Sequence, residues 1–306
     1  MTAPANARLL DVMTSGNFVV TGPTAGNESV EAWSIKRLPF EPKGWVKDLR
    51  AALRSELKVL TWSTGNVLHA RFVSNDTRAF DVENVLLYNV GNGYFANTSQ
   101  TGLRLERAFA HPPAPPLDLR GETLHYHQYR LAGLDSTFHH WKAGKRLAKW
   151  AAPLPSASQM TASSVWLTMK RGQAEVEKST SDDVTALMIR ATVGVPPGVR
   201  TNAAGLIKPL FDGILASFHA HDGSEVAKVS ARLSEALDAD SGEIEELLLD
   251  RDREVLGLRR LLWPWGDTVQ WNPADDRIVA AELLVAAAEP GRSLQVEGEL
   301  FEAAPA

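Results

Sequence analysis

The chain contains no cysteine. Its fold therefore cannot rest on disulfides or thiolate metal sites, and thiol catalysis is excluded. It also lacks any apolar run approaching the roughly 18 residues that a membrane-spanning helix needs, and no charged segment followed by an apolar stretch opens it. These absences lead us to expect a cytoplasmic protein with no membrane partner. An excess of positive charge is missing too. The formal net charge is −5, so any contact with nucleic acid has to use a local patch rather than bulk attraction. Neither a G-x-x-x-x-G-K-[ST] phosphate loop nor a G-x-G-x-x-G turn is present, and no G-x-S-x-G elbow or H-E-x-x-H helix occurs. Nucleotide hydrolysis through such a loop, dinucleotide chemistry and those hydrolase types drop out.

What remains is a chain of 306 residues, 44% hydrophobic, with nine tryptophans. That is enough to bury a large core or two ordinary ones. Strand-like stretches occur at Asn17 to Thr21 and Val67 to Val73, and again in "GLRLERAFA" and "TLHYHQYRLAG". Val46, Leu49, Leu53, Leu57 and Leu60 recur at three- and four-residue spacing, which predicts an amphipathic helix. "DVENVLLYNV" predicts a short helix opened by Asp81, and the prolines of "HPPAPPLDL" make that segment a loop. "WAAPLPSASQM" marks a shift in composition, which suggests one unit over 1–150 and another over 151–306. Each reads as strand, helix, strand, strand, so the expectation is an α+β fold of two similar mixed lobes, the second with a helical insertion at about 221–268. Val226, Val229, Leu233 and Leu237 line one helix of that insertion, and Asp240 with Glu243 suits a capping box for the next. Such a hairpin is either a solvated cover or a surface for other protein subunits.

Three clusters have polar or aromatic chemistry. If "FHHWKAGKRLAKWAAP" is helical, Lys142, Lys145, Arg146 and Lys149 form one basic stripe between Trp141 and Trp150. Such a stripe suits phosphates and unpaired bases of DNA or RNA, and it equally suits a solvated helix with its indoles turned inward. His125, His127, His139 and His140 could hold zinc but match no ligand signature, and ordinary hydrogen-bonded histidines fit as well; the same holds for His219 and His221. Trp263, Trp265 and Trp271 are either a stacking platform or the corner of a core.

The segment "NAAGLIKPLFDGI" resembles the metal-site helix of the RusA type of Holliday-junction resolvase, in which a strand leads into D-x-D-N, then Lys three residues on and Asp four beyond that. Lys208 and Asp212 fall at the Lys and Asp positions, and Asp275 with Asp276 stands where the family has an acidic pair before a strand. Asn202, Ala204 and Gly205 replace the acidic opening. "DVENVLLYNVG" shows the complementary pattern, with Asp81, Glu83 and Asn84 at the opening but Leu87 and Gly91 in place of Lys and Asp. The resemblance implies a tandem, degenerate pair of resolvase-like units. From the residues themselves, Asp81 and Glu83 suit either a shared divalent ion or a helix cap that satisfies free amides. Because neither motif is complete, the expectation is nucleic-acid binding without cleavage. The alternatives are an Mg²⁺-dependent structure-selective nuclease using Asp81, Glu83, Lys208, Asp275 and Asp276, or a scaffold subunit of a protein assembly.

Overall fold

The computed structural model describes residues 13–306 apart from 25–27, 77, 79, 178–185, 200 and 290; the opening "MTAPANARLL" stretch lies outside the described residues. The fold is α+β. Its first part runs β1 (Met13–Thr14), β2 (Phe18–Thr21), β3 (Ser29–Ser34), α1 (Trp45–Leu57), β4 (Asn66–Ser74), β5 (Gly102–Phe109) and β6 (His125–Gly133). β7 (Trp141–Pro153), α2 (Ala162–Arg171), β8 (Gln173–Val176), β9 (Leu187–Val195) and α3 (Ala203–Ser217) follow. An excursion then comprises β10 (Ala220–His221), α4 (Val226–Leu237), α5 (Ser241–Leu249), β11 (Leu258–Arg259) and a hairpin of β12 (Leu262–Trp265) with β13 (Thr268–Trp271). The chain closes with β14 (Ile278–Ala287) and β15 (Gln295–Pro305).

One sheet of 11 strands, in the order β1-β2-β3-β6-β4-β5-β14-β9-β15-β7-β8, contains both parts of the chain. Strands before residue 134 occupy one side and strands after residue 140 the other, joined by the antiparallel β5–β14 pair, in which Leu105 faces Ala281 and Leu103 faces Leu283. The two sides mirror each other. β4 is parallel to β5 and antiparallel to β6, which is antiparallel to β3; likewise β9 is parallel to β14 and antiparallel to β15, which is antiparallel to β7. A helix precedes each innermost parallel pair (α1 and α2), and a helical segment crosses within it: Asn84–Tyr88 on one side, α3 on the other. Each side thus has more helical elements than the strand, helix, strand, strand pattern, and a boundary at 150 would cut through β7.

Alternation along the strands sends Leu68, Ala70 and Phe72 of β4, Leu103 and Leu105 of β5, Ile189 and Val193 of β9 and Leu300 of β15 to the helical face, where they form one buried cluster with α1 and α3. The spacing read in α1 is realised: Val46, Leu49, Leu53 and Leu57 are buried. α3 packs its apolar length against α2 so closely that a Cβ at Gly213 would lie 2.6 Å from the Ala162 carbonyl oxygen and 2.6 Å from Val165 Cβ. Gly213→Ala is therefore expected to lower stability by roughly 1–2 kcal/mol in urea denaturation, the gain in helix propensity offsetting only part of the clash.

The opposite sheet face is mixed: two smaller apolar clusters, Val19, Trp33, Val73 and Tyr126 in one and Phe138, Met188 and Ala280 in the other, flank a buried His69–Glu106 pair at 3.1 Å and Arg104 bonded to Glu282 across the β5–β14 seam. Among the described residues, no helix is long and apolar enough to cross a membrane.

Candidate functional site

The site forms where the two sides of the sheet meet. Asp81 and Glu83 sit where the chain leaves β4 and turns into the 84–88 helical segment, Lys208 and Asp212 lie one turn apart on α3, and Asp275 stands just before β14. The Lys208 ammonium lies 3.4 Å from Asp81, 2.9 Å from Glu83, 3.1 Å from Asp212 and 2.5 Å from Asp275. Oxygens of Asp81, Glu83 and Asp275 all fall within 4.8 Å of one another. The two halves of the chain both contribute: Asp81 and Glu83 come from the first, Lys208, Asp212 and Asp275 from the second.

Local structure explains why these side chains converge. Asn202 caps α3 by accepting the Gly205 amide at 2.8 Å, while Ser99 accepts the Ala203 and Ala204 amides at 3.0 and 3.2 Å. The helix thus starts without the acidic residues of the resembled motif. Arg107 of β5, which no sequence motif singles out, donates to the carbonyl oxygens of Phe80 and Asp276, each at 2.5 Å. One buried guanidinium so ties the segment that bears Asp81 to the segment that bears Asp275. Ala274, immediately before Asp275, has φ 61°, a left-handed conformation that an L-residue adopts at a cost of about 1 kcal/mol or more. The His219 ring also packs here, with Nε2 3.0 Å from the Pro273 carbonyl oxygen.

Asp81 does not cap its helix. Its side chain accepts from the Asn84 amide group and from Lys208, and it receives no backbone amide. Glu83, which flanks the 84–88 segment, makes no side-chain cap either. The capping reading of these two residues therefore finds no support in the geometry: both side chains turn to Lys208 instead. Asp276 contributes its carbonyl to the Arg107 clamp and stands outside the carboxylate group.

Charge and burial oppose each other in this cluster. Burial, reinforced by the charges of Asp275 and Glu83, pushes the Asp81 carboxyl up to about 7. Burial likewise raises Glu83 and Asp212 to about 7, although Lys208 pulls both down. Burial alone would lower Lys208, but Glu83, Asp212, Asp275 and Asp81 together hold it raised and charged. Four carboxyl groups around one ammonium leave unneutralised negative charge in a poorly solvated place. Folded-state values above the unfolded ones mean that the carboxyl groups hold protons better when folded, so stability falls as pH rises from about 4 to about 7 and stays lower above that. In the absence of divalent ions, the melting temperature is expected to drop over that window by at least about 2 °C, one pKa unit being worth about 1.4 kcal/mol. A divalent ion held by these oxygens would restore the loss at pH 8 and do little at pH 5, because it would compete with those protons; differential scanning fluorimetry across pH, with and without Mg²⁺, reads both.

The other sequence candidates do not join the site. Residues 141–153 form β7 rather than a helix, because their apolar positions are claimed by sheet pairing with β15 and β8. The helical stripe of Lys142, Lys145, Arg146 and Lys149 therefore does not form. Trp150 is 2% exposed and packs on Phe218, so no base can reach it, and Trp141 donates its indole N–H to the Arg107 carbonyl at 2.7 Å. Arg146 is taken up by Glu175, Glu177 and Glu299 at 3.9, 3.4 and 3.3 Å. His125 and His127 are buried beside Phe72, and burial pushes them down to about 4 and about 3. Of the described residues, only Asp81, Glu83 and Asp275 form a metal-competent group. The tryptophan trio divides: Trp271 packs against Trp166 and donates to Ser163, whereas Trp265, beside the hairpin turn, is 65% exposed.

Comparison with known proteins returns no matching family model, no matching curated protein and no matching solved structure.

Proposed function

We propose that the protein is an Mg²⁺-dependent, structure-selective endonuclease acting on branched DNA, built as two resolvase-like units of which a single composite centre survives. The observation that carries this reading is the convergence of Asp81, Glu83, Asp212 and Asp275 on Lys208 from both halves of the chain. Incomplete motifs in each half argued against cleavage only while each was taken alone.

The donor set fits a hard divalent ion. Asp81, Glu83 and Asp275 offer anionic oxygens close enough together to hold Mg²⁺, and the Lys208 ammonium stands in for the missing positive charge. A bound ion would supply Lewis-acid polarisation of the phosphodiester and a more acidic water. The protein's own groups do the rest. Lys208 neutralises charge on a non-bridging phosphate oxygen, Asp212 holds the Lys208 side chain from one turn along α3, and Arg107 keeps the two acidic segments in register. The Asn84 amide group orients the Asp81 carboxylate.

A second reading, nucleic-acid binding without cleavage, is favoured by one observation: Lys208 already ion-pairs with all four carboxyl groups and hydrogen-bonds three of them, Asp81, Glu83 and Asp275. Incubating end-labelled four-way and flapped DNA with the protein and Mg²⁺ or EDTA separates the two. Mg²⁺-dependent products at the branch support the nuclease; binding with no products at any Mg²⁺ concentration supports the second reading.

A further inference from the structure

The first part of the chain carries a basic surface apart from the acidic centre. The solvated face of α1 presents Lys47, Arg50, Arg54 and Lys58, at spacings of three and four residues, with Asp48 as the acid beside them. At 1.5 Å rise per residue the row extends about 16 Å, long enough to meet several successive phosphates of one strand. Together with Tyr94 these four cations line an open cleft of about 470 Å³.

The cleft is built, not merely charged. Arg54 donates to the Val90 carbonyl at 2.5 Å and lies over the Tyr94 ring at 4.8 Å; the Lys58 ammonium is 5.7 Å from the same ring. Arg50 is held by the Phe40 carbonyl at 3.0 Å. Gly91 lets Arg54 come this near, since its φ of 124° suits glycine and a Cβ there would lie 2.5 Å from the guanidinium. Tyr94 is 36% exposed. Cations fixed in a row beside an aromatic ring are the combination that tracks a phosphate backbone while a base stacks. The row stands on a molecule of net charge −5, so a polyanion is drawn to this face by contrast with the rest.

We propose that α1 and Tyr94 form the strand-binding surface, holding an unpaired segment of the DNA whose branch reaches the acidic centre. The identification of the polyanion as DNA rests on the nuclease reading; the surface itself does not. The test is fluorescence anisotropy of labelled single-stranded DNA in EDTA, so that no cleavage enters, across a salt series. For Lys47→Glu/Lys58→Glu we expect binding at least tenfold weaker and a log–log salt slope smaller by about 1.4, two phosphate contacts being lost. Tyr94→Ala is expected to bind about tenfold more weakly with the slope unchanged. Lys142→Glu/Lys149→Glu, on exposed positions of β7 near the far end of the sheet, should bind as the parent does. Both α1 positions are exposed, and an unchanged melting temperature confirms that the variants fold. Absence of binding by the parent at low salt, an unaltered α1 variant, an equal loss in the β7 control, or tenfold tighter binding of the same sequence as RNA would overturn the proposal. Binding that behaves as expected without any cleavage in Mg²⁺ would remove the nuclease reading and leave this surface standing.

Discussion

Asp81→Asn is expected to reduce Mg²⁺-dependent cleavage of branched DNA by about a hundredfold to a thousandfold, the several kcal/mol that a misassembled metal site withdraws from the transition state. DNA affinity in EDTA should be unchanged, because Asp81 belongs to the acidic centre and not to the α1 row. The diagnostic part is stability. Were Asp81 a helix cap, Asp81→Ala would cost about 1 kcal/mol whereas Asp81→Asn would cost little, Asn being itself a good cap, so Asp81→Ala is the sharper form of the comparison. As one of several crowded carboxyl groups raised to about 7, it instead opposes folding at pH 8. Without metal, Asp81→Asn should therefore melt at the same temperature as the parent or slightly higher at pH 8, and the advantage should vanish at pH 5. A loss of cleavage accompanied by an equal loss of metal-free stability at both pH values would favour a structural role.

Lys208→Met is expected to have the largest effect on stability. Removing the single cation from among four carboxyl groups leaves their charges uncompensated, a change that typically costs about 3–5 kcal/mol. The cost should appear at pH 8 and shrink to about 1 kcal/mol or less at pH 5, where Asp81, Glu83 and Asp212 keep their protons. Mg²⁺ should stabilise this variant more than it stabilises the parent, since a competing positive charge has gone from the same oxygens. Urea denaturation at the two pH values, with and without Mg²⁺, measures all of this. A variant that is destabilised but indifferent to Mg²⁺ would mean that the cluster is a lysine-centred ion network and nothing more.

Much of this arrangement was legible in the sequence because it is local. The apolar spacing of α1, the strands β4 and β5, the helical start at Asp81 to Glu83 and the Lys208 to Asp212 spacing all follow from periodicity and short motifs. That Asp81 meets Lys208 was not legible, because it depends on the β5–β14 pairing between residues about 180 positions apart, and no local pattern encodes which edges of two half-sheets join. The Arg107 clamp and the left-handed Ala274 are invisible for the same reason: they are consequences of that junction. The segment 141–153 misleads because its cations fit a helical period, and the extended form is imposed by β15, which pairs along almost its entire length. The α1 row could have been found, since the spacing that buries Leu49 and Leu53 sets Lys47, Arg50, Arg54 and Lys58 along one flank of the helix beside that stripe.

The most direct test of the composite centre is a Mn²⁺ titration followed by electron paramagnetic resonance at pH 8, with Mn²⁺ standing in for Mg²⁺. One tightly held ion per chain is predicted, lost in Asp81→Asn and in Asp275→Asn alike although the two residues come from opposite halves of the chain. No bound Mn²⁺ at millimolar concentration, or binding that survives both substitutions, would contradict the account.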